Sequence, residues 1–404
     1  MLGMLVRERQ FSTLLGGSLL SKIGDGVHEL VFILAVLKVT HNGIADAGLI
    51  YFFRFIPYLV LGPVGGVLAD RMSRKRLMLL ADLARFAVTS VFCVMLGVGK
   101  VGPGSLAIVG LVMTSFRTIF QPAFQAVVPA LVTENNLIPA NAAAQIVSEI
   151  GGLLGPALGG VLLGFAGNPG IVLAFDACTY MLSVFCVLLT AIPPNTREAT
   201  EAITVKGLYG DFWSNVSSVR VRSALFTTII YSSACIFFVG AALRILIPAM
   251  LKSQGYEDSV VGYAMTAIAL GAILGAAGFS KVASDYTTRN LMAYWCLYGV
   301  ALACLPFASG HIWSILIACF VLGTVGAFVD VVLPTNIQRL STDANIGKNF
   351  SLFSTLANTG EALSGGVVAL LALFSSIAVS VTAIGLLVAS VAYAGRSRSG
   401  DTHE

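Results

Sequence analysis

The chain has 404 residues, 57% hydrophobic and 11% charged, with a mean hydropathy of +0.88. Soluble chains carry charge on roughly a quarter of their residues, which excludes that class. A membrane helix takes about 20 apolar residues, so the length holds about a dozen helices and no folded aqueous domain.

Apolar runs predict spans near 11–37, 45–69, 77–98, 104–127, 141–166, 170–192, 223–250, 259–280, 290–309, 312–334, 346–373 and 375–394. The first run is expected to be retained and not cleaved as a leader, because Asp25, His28 and Glu29 interrupt it and no A-x-A site follows. These three residues fall at i, i+3 and i+4, on one helical face. Two acids one turn apart in a low dielectric repel when both are ionised, which makes the face a candidate proton site with His28 as a relay. The alternative is that Asp25 and His28 only hydrogen-bond to a neighbouring helix.

The second span places Arg54 one turn before Pro57, among Tyr51, Phe52, Phe53, Phe55 and Tyr58. A cation among aromatic rings suits a substrate cavity, although phenylalanine is equally common on faces turned to lipid. The span ends in Gly66-Val67-Leu68-Ala69-Asp70-Arg71-Met72-Ser73-Arg74-Lys75-Arg76. The third span carries Asp82 and Arg85, and the fourth carries Arg117, which cannot release its proton and needs an acid or an anionic ligand.

The fifth span contains Glu149 and then Gly151-Gly152-Leu153-Leu154-Gly155-Pro156-Ala157-Leu158-Gly159-Gly160. Gly151, Gly155 and Gly159 recur every four residues and give a flat face for close helix contact, while Pro156 frees a carbonyl and kinks the helix. Asp176 in the sixth span is expected near its outer end. A polar linker follows at 193–222, its second part predicted as a short amphipathic helix on the inner membrane face. The seventh span carries Phe237, Phe238 and Arg244, and the tenth and eleventh contribute the deep acids Asp330 and Glu361.

The linker divides the chain into a bundle at 1–192, a bundle at 223–394 and a tail at 395–404. A weak internal repeat agrees: Arg76-Leu77-Met78 is echoed by Asn290-Leu291-Met292, and Glu149 by Glu361, both glutamates followed by a glycine pair, at offsets of about half the chain length. Lys281, Asp285 and Arg289 form a degenerate counterpart of the loop after the second span. Sixteen of the 24 lysines and arginines fall in segments on the side of the N-terminus and three on the other side, which predicts that both termini are cytoplasmic. The net charge of +4 therefore reflects topology, and no nucleic-acid partner is expected. All seven cysteines lie in apolar runs, and the four histidines are dispersed, so neither disulfides nor a metal site is expected.

The segment 66–76 resembles G-x-L-A-D-R-x-G-R-[KR], the signature loop of the major facilitator superfamily, departing from it at Ser73. The fifth-span run is similar to the superfamily motif g-x-x-x-G-P-x-x-G-G, associated with antiporters. Gly24-Asp25, Asp82 with Arg85, Pro129-Ala130-Leu131-Val132 and Ala140-Asn141-Ala142 resemble its macrolide-efflux and enterobactin-exporter branch. The resemblance implies an all-α polytopic fold of twelve transmembrane helices in two pseudo-symmetric six-helix bundles. It assigns Asp70 and Arg71, with Gly66, Arg74 and Lys75, to a cytoplasmic gating latch, and Ser73 is expected to loosen the turn. Many antiporters of the family carry a basic residue in the fourth span, but the pattern around Arg117 differs.

No nucleotide loop, H-E-x-x-H pair or G-x-S-x-G elbow is present, so catalysis is not expected. The leading expectation is a monomeric exporter in a bacterial cytoplasmic membrane, without a cofactor, that moves small molecules such as drugs or siderophore-like metabolites against a proton gradient. Proton-coupling candidates are Asp25, Glu29, His28, Glu149, Asp330 and Glu361. Cavity candidates are Arg54, Arg117, Arg244, Tyr51, Phe55 and Phe238. A proton-coupled importer is the runner-up, and a channel or a non-transporting receptor is the distant alternative.

Overall fold

The computed structural model describes residues 2–39, 44–194, 205–256, 258–282, 287–308 and 310–399. After a short α1 (Leu2–Arg7), six long helices follow: α2 (Arg9–Val39), α3 (Ile44–Arg71), α4 (Arg74–Gly97), α5 (Pro103–Leu131), α6 (Leu137–Ala166) and α7 (Pro169–Leu189). Helix α8 (Val205–Val221) occupies the second part of the linker, as its amphipathic pattern predicts. The segment α9 (Ser223–Phe226), α10 (Ser232–Ala241) and α11 (Ile247–Ser253) is joined through π-helical turns at Thr227–Tyr231 and Ala242–Leu246. Then come α12 (Asp258–Val282), α13 (Thr288–Cys304), α14 (Ile312–Arg339), α15 (Ile346–Phe374) and α16 (Ile377–Ser399).

Among the described residues, ten helices are long and apolar enough to cross a membrane. The expected first and eleventh stretches are also helical, as α2 and α15, 31 and 29 residues long. Their apolar character is interrupted by Lys22, Asp25 and Glu29 in α2, and by Lys348, Asn349, Asn358 and Glu361 in α15. Helix α16 runs past the expected end at 394, and Arg396 and Arg398 in its last turn complement the negative end of the helix dipole.

The helices pair in the same order twice. In the first set, α2 packs on α6, α3 on α5 and α4 on α7; in the second, α10 packs on α15, α12 on α14 and α13 on α16. Between the sets, α3 meets α15, and α6 meets α12 and α14. Glycine sets the separation at two of these seams. A Cβ on Gly155 would lie 2.6 Å from the Gly26 Cα, and one on Gly151 would lie 2.5 Å from the Lys22 Cβ, so α6 rests directly on α2. Gly159 continues the face onto Val27 and Leu30, whereas Gly160 has no neighbour within 4 Å. Large apolar side chains such as Val91, Ile108, Phe165 and Trp313 stay exposed, as lipid-facing surfaces require.

Candidate functional site

At the end of the molecule that carries the turn between α3 and α4, the two helix sets are bolted together. The Asp70 carboxylate, 5% exposed at the C-terminal end of α3, accepts hydrogen bonds from the backbone N–H groups of Gly347 and Lys348, both at 2.8 Å. Those amides belong to the first turn of α15, so an anion sits on the positive end of a helix from the other set. Gly66 permits the approach, since a Cβ there would overlap the Gly347 carbonyl and Ser351. Arg74 is buried and donates to the Ala126 carbonyl on α5 and the Asp343 carbonyl before α15, both at 3.0 Å.

Beside this latch, Asn141 donates to Thr335 at 3.0 Å and to Gln338 at 2.6 Å, and Gln338 donates to the Gln125 carbonyl at 3.1 Å. Helix α8 straps the same end. Asp211 lies 2.6 Å from Arg71 and 4.0 Å from Lys348, and Asn215 donates to Asn349 at 2.9 Å. Lys75 caps the C-terminal end of α7 through the Leu188 and Thr190 carbonyls, both at 2.8 Å. The turn is not loosened at Ser73, which corrects that expectation. Only Met72 and Ser73 separate the helices, Ser73 has a φ of −57°, and its hydroxyl caps α4 by accepting from the Arg76 N–H. No left-handed conformation is needed there, so no glycine is needed either.

Inward from the latch, a cavity of about 550 Å³ lies among α2, α3, α5, α6 and α15, lined by Lys22, Asp25, Glu29, Arg54, Phe55, Tyr58, Arg117 and Glu361 among others. A second space of about 350 Å³ continues toward α14, lined in part by Lys22, Arg117, Gln145, Asp330 and Glu361. Charged side chains enter these spaces from the middle of α2 and α5.

Asp25, His28 and Glu29 share a face of α2 but go to three different partners. Asp25 accepts from the Tyr180 hydroxyl at 2.5 Å and lies 3.7 Å from Arg85. His28 Nδ1 is 3.0 Å from Asp176, which lies two turns inside α7 and is fully buried, deeper than the outer end expected for it. Glu29 receives both terminal nitrogens of Arg54 in a forked pair, and the Arg54 guanidinium stacks over Phe32 at 4.9 Å. Arg85 pairs with Asp82, which also accepts from Ser183 at 2.7 Å, and its guanidinium is sandwiched 4.7 Å from the rings of Phe120 and Tyr180.

Lys22, Arg117 and Asp330, which line these spaces, and Glu149 beside them form no salt bridge among the described residues, although Asp25 is in electrostatic range of Lys22 and Arg117. Lys22 and Arg117 make no ion pair or hydrogen bond there, and Arg117 is exposed to the cavity. Glu149 and Asp330 share one neutral donor, the Gln145 amide nitrogen, at 2.8 and 3.1 Å. Glu361 lines both spaces from α15. Phe238 packs edge-on against Phe237 at 5.0 Å, away from the cavity linings. The side chains of Tyr51, Arg244 and Lys281, and residue Asp285, lie outside the described residues, as do 195–204 and 400–404.

Sequence reasoning did not single out Lys22, Tyr180, Gln145 or Asp211. Lys22 carried a usable signal, one turn before Asp25 on the same helical face, and Gln145 carried another, one turn before Glu149.

A family profile described as Major Facilitator Superfamily matches residues 14–365. The enterobactin exporter EntS of Escherichia coli O1:K1 / APEC is 29% identical over 347 residues, covering 81% of this chain and 77% of that protein. Among solved structures, a bacterial homologue of the iron transporter ferroportin in an outward-facing state aligns with a TM-score of 0.75 at 19% identity, over 96% of this chain and 99% of that one. The E. coli fucose:proton symporter FucP aligns with a TM-score of 0.74 at 16% identity, over 96% of this chain and 98% of that one. These structural likenesses carry the fold.

Proposed function

The chain belongs to the major facilitator superfamily, multi-pass membrane transporters and not enzymes, and from that premise we propose that it exports small molecules by alternating access, driven by counterflow of protons. In this reading α2 to α7 and α9 to α16 are two six-span bundles. Both termini face the cytoplasm of a bacterial cell, and the protein works as a monomer in the plasma membrane.

One observation carries the reading: Asp70 of the first helix set caps the first turn of α15 in the second, on one side of a charged cavity that both sets line. If the α3–α4 end is cytoplasmic, as the basic residues of its turn favour, the molecule is closed to the cytoplasm and its cavity belongs to the opposite face. Loss of the Asp70 contact would release α15 from α3 and let the bundles rock to the opposite state. Similarity to an enterobactin exporter and the glycine run in α6 support export. Protons would be exchanged at the acids in reach of the cavity, Asp25, Glu29, Glu149, Asp330 and Glu361, with His28 and Asp176 behind them. The transported molecules in this reading are small metabolites, such as siderophore-like compounds, or drugs, the first favoured by the similarity to an enterobactin exporter.

Proteoliposomes test this directly. Substrate efflux should follow an imposed pH gradient and be accompanied by proton movement in the opposite direction. Flux indifferent to collapse of both the pH gradient and the membrane potential would sink proton coupling, and gradient-driven accumulation together with protons would assign an importer instead.

A further inference from the structure

We infer that the cavity binds a zwitterionic molecule, with its anionic group between Lys22 and Arg117 and its cationic group at Asp330 and Glu149. The inference rests on the transporter reading only in taking this cavity as the substrate site.

The argument starts from the charges that remain once internal pairs are assigned. Arg54 has Glu29, and Arg85 has Asp82 as its close partner with Asp25 at 3.7 Å. Lys22 on α2, Arg117 on α5 and Arg85 thus face only Asp25 and Asp82, an excess of one positive charge, while Glu149 on α6 and Asp330 on α14 have no close cation among the described residues. A charge held at membrane depth without a counterion is costly, and its persistence marks a place where a ligand, an ion or a moving partner completes it. Arg117 cannot become neutral, and it lies within electrostatic range of Lys22 and Arg85 with Asp25 as the carboxylate they share, so a further anion beside Lys22 and Arg117 completes the group.

The carboxylates are in the opposite situation. Gln145 donates to both through one nitrogen, whose two hydrogens are then used, and an amide brings no net charge. Two carboxylates converging on one neutral group leave a place for a cation. Lys22, Arg117, Gln145 and Asp330 all line the same space of about 350 Å³, so one molecule reaches both sets. A singly charged ligand would complete one set and leave the other bare, whereas a zwitterion completes both.

The remaining ionisable groups leave this assignment intact. Asp25 is in electrostatic range of Lys22, Arg85 and Arg117, and together with Asp82 it offsets two of those three cations and leaves one. Tyr58 faces Arg117, Tyr298 on α13 faces Asp330, and Glu361 stands across the space on α15. The arrangement also supplies an exchange mechanism. An ammonium group and a proton compete for the same Asp330 and Glu149 oxygens, so cargo binding displaces protons, while the Lys22 and Arg117 site holds the cargo without taking part in that competition.

The test uses the purified full chain in lipid nanodiscs, with no gradient, and two probe series that differ in charge separation. One series is 4′-(aminomethyl)biphenyl-4-carboxylate, biphenyl-4-carboxylate, 4-(aminomethyl)biphenyl and biphenyl. The other is tryptophan, indole-3-propionate, tryptamine and indole. In at least one series the zwitterion should bind about tenfold more tightly than either singly charged member, the scale of one added charge-assisted contact. A singly charged or neutral member that binds as well as the zwitterion in both series, or no binding by any member, overturns the inference.

Variants then locate the two groups. Lys22→Gln or Arg117→Gln should bring the zwitterion down to the affinity of the cationic probe and leave that probe unchanged, with Lys22→Arg retaining the preference. Asp330→Asn with Glu149→Gln should bring it down to the anionic probe. Equal weakening of all probes, the neutral one included, would signal a structural role and also overturn the assignment. Zwitterion preference without gradient-driven flux would remove the exporter reading and keep the site, and the reverse result would remove the site alone.

Discussion

Asp82 and Arg85 form the most enclosed ion pair of the described residues, with side-chain exposures of 0% and 4%. Removing one partner from a buried pair leaves an uncompensated charge and costs about 3 kcal/mol or more, whereas removing both is far milder. Asp82→Asn should therefore lower the melting temperature sharply in detergent, and Asp82→Leu with Arg85→Met should recover most of the loss. If the double variant is as unstable as the sum of the single ones, the loss does not come from stranding one buried charge. The sequence made part of this visible. Spacing put Asp25, His28 and Glu29 on one face of a helix, and that is where they are. It carried no sign that the three would turn to Tyr180, Asp176 and Arg54, because two of those partners lie about 150 residues away and only packing of α7 against α2 brings them near.

Helices were more legible than partners, since hydropathy and charge interruptions act within a single element. Gly151, Gly155, Pro156 and Gly159, the positions that close α6 on α2, stand in one ten-residue run, and the i+4 spacing alone predicts a flat face. What spacing does not reveal is which neighbour that face meets, or that Gly160 is off it. The two positions should therefore behave differently. Gly155→Val forces backbone against backbone at Gly26 and should abolish monodisperse, folded protein on size-exclusion chromatography, while Gly160→Ala, with open space around it, should leave elution and melting unchanged. A tolerated valine at 155 would mean that α2 and α6 separate freely. The π turns within the segment 223–253 had no counterpart in the hydropathy pattern, because they alter hydrogen-bond register and not side-chain polarity. Ser73 carries the opposite lesson: a departure from a family motif is harmless where the backbone conformation is one that serine adopts as a helix cap.

For the whole molecule, the decisive contact is the smallest one. Where α3 meets α15, Gly62 lies against Thr355 and Gly66 against Gly347 and Ser351, and the polar bonds at the α3–α4 end join the two helix sets. Asp70 matters most among them because a carboxylate receives two backbone donors and the positive end of α15 at once. Asp211 adds a second clasp, since α8 binds Arg71 at the end of α3 and approaches Lys348 on α15. Asp70→Asn keeps the shape and removes the charge, so it should weaken the join between α3 and α15 without unfolding either helix set. Hydrogen exchange in nanodiscs reads this locally: amides of residues 342–351, at the start of α15, should exchange about tenfold faster in Asp70→Asn, the scale of one charge-assisted bond. Amides of residues 295–303 in α13, packed on α16 within one bundle, should keep the rate they have in the native chain. Faster exchange in both segments would mean that the substitution loosens the fold as a whole, and no change in either would mean that the closed end is held by the Asn141, Gln338 and Arg74 bonds without help from Asp70.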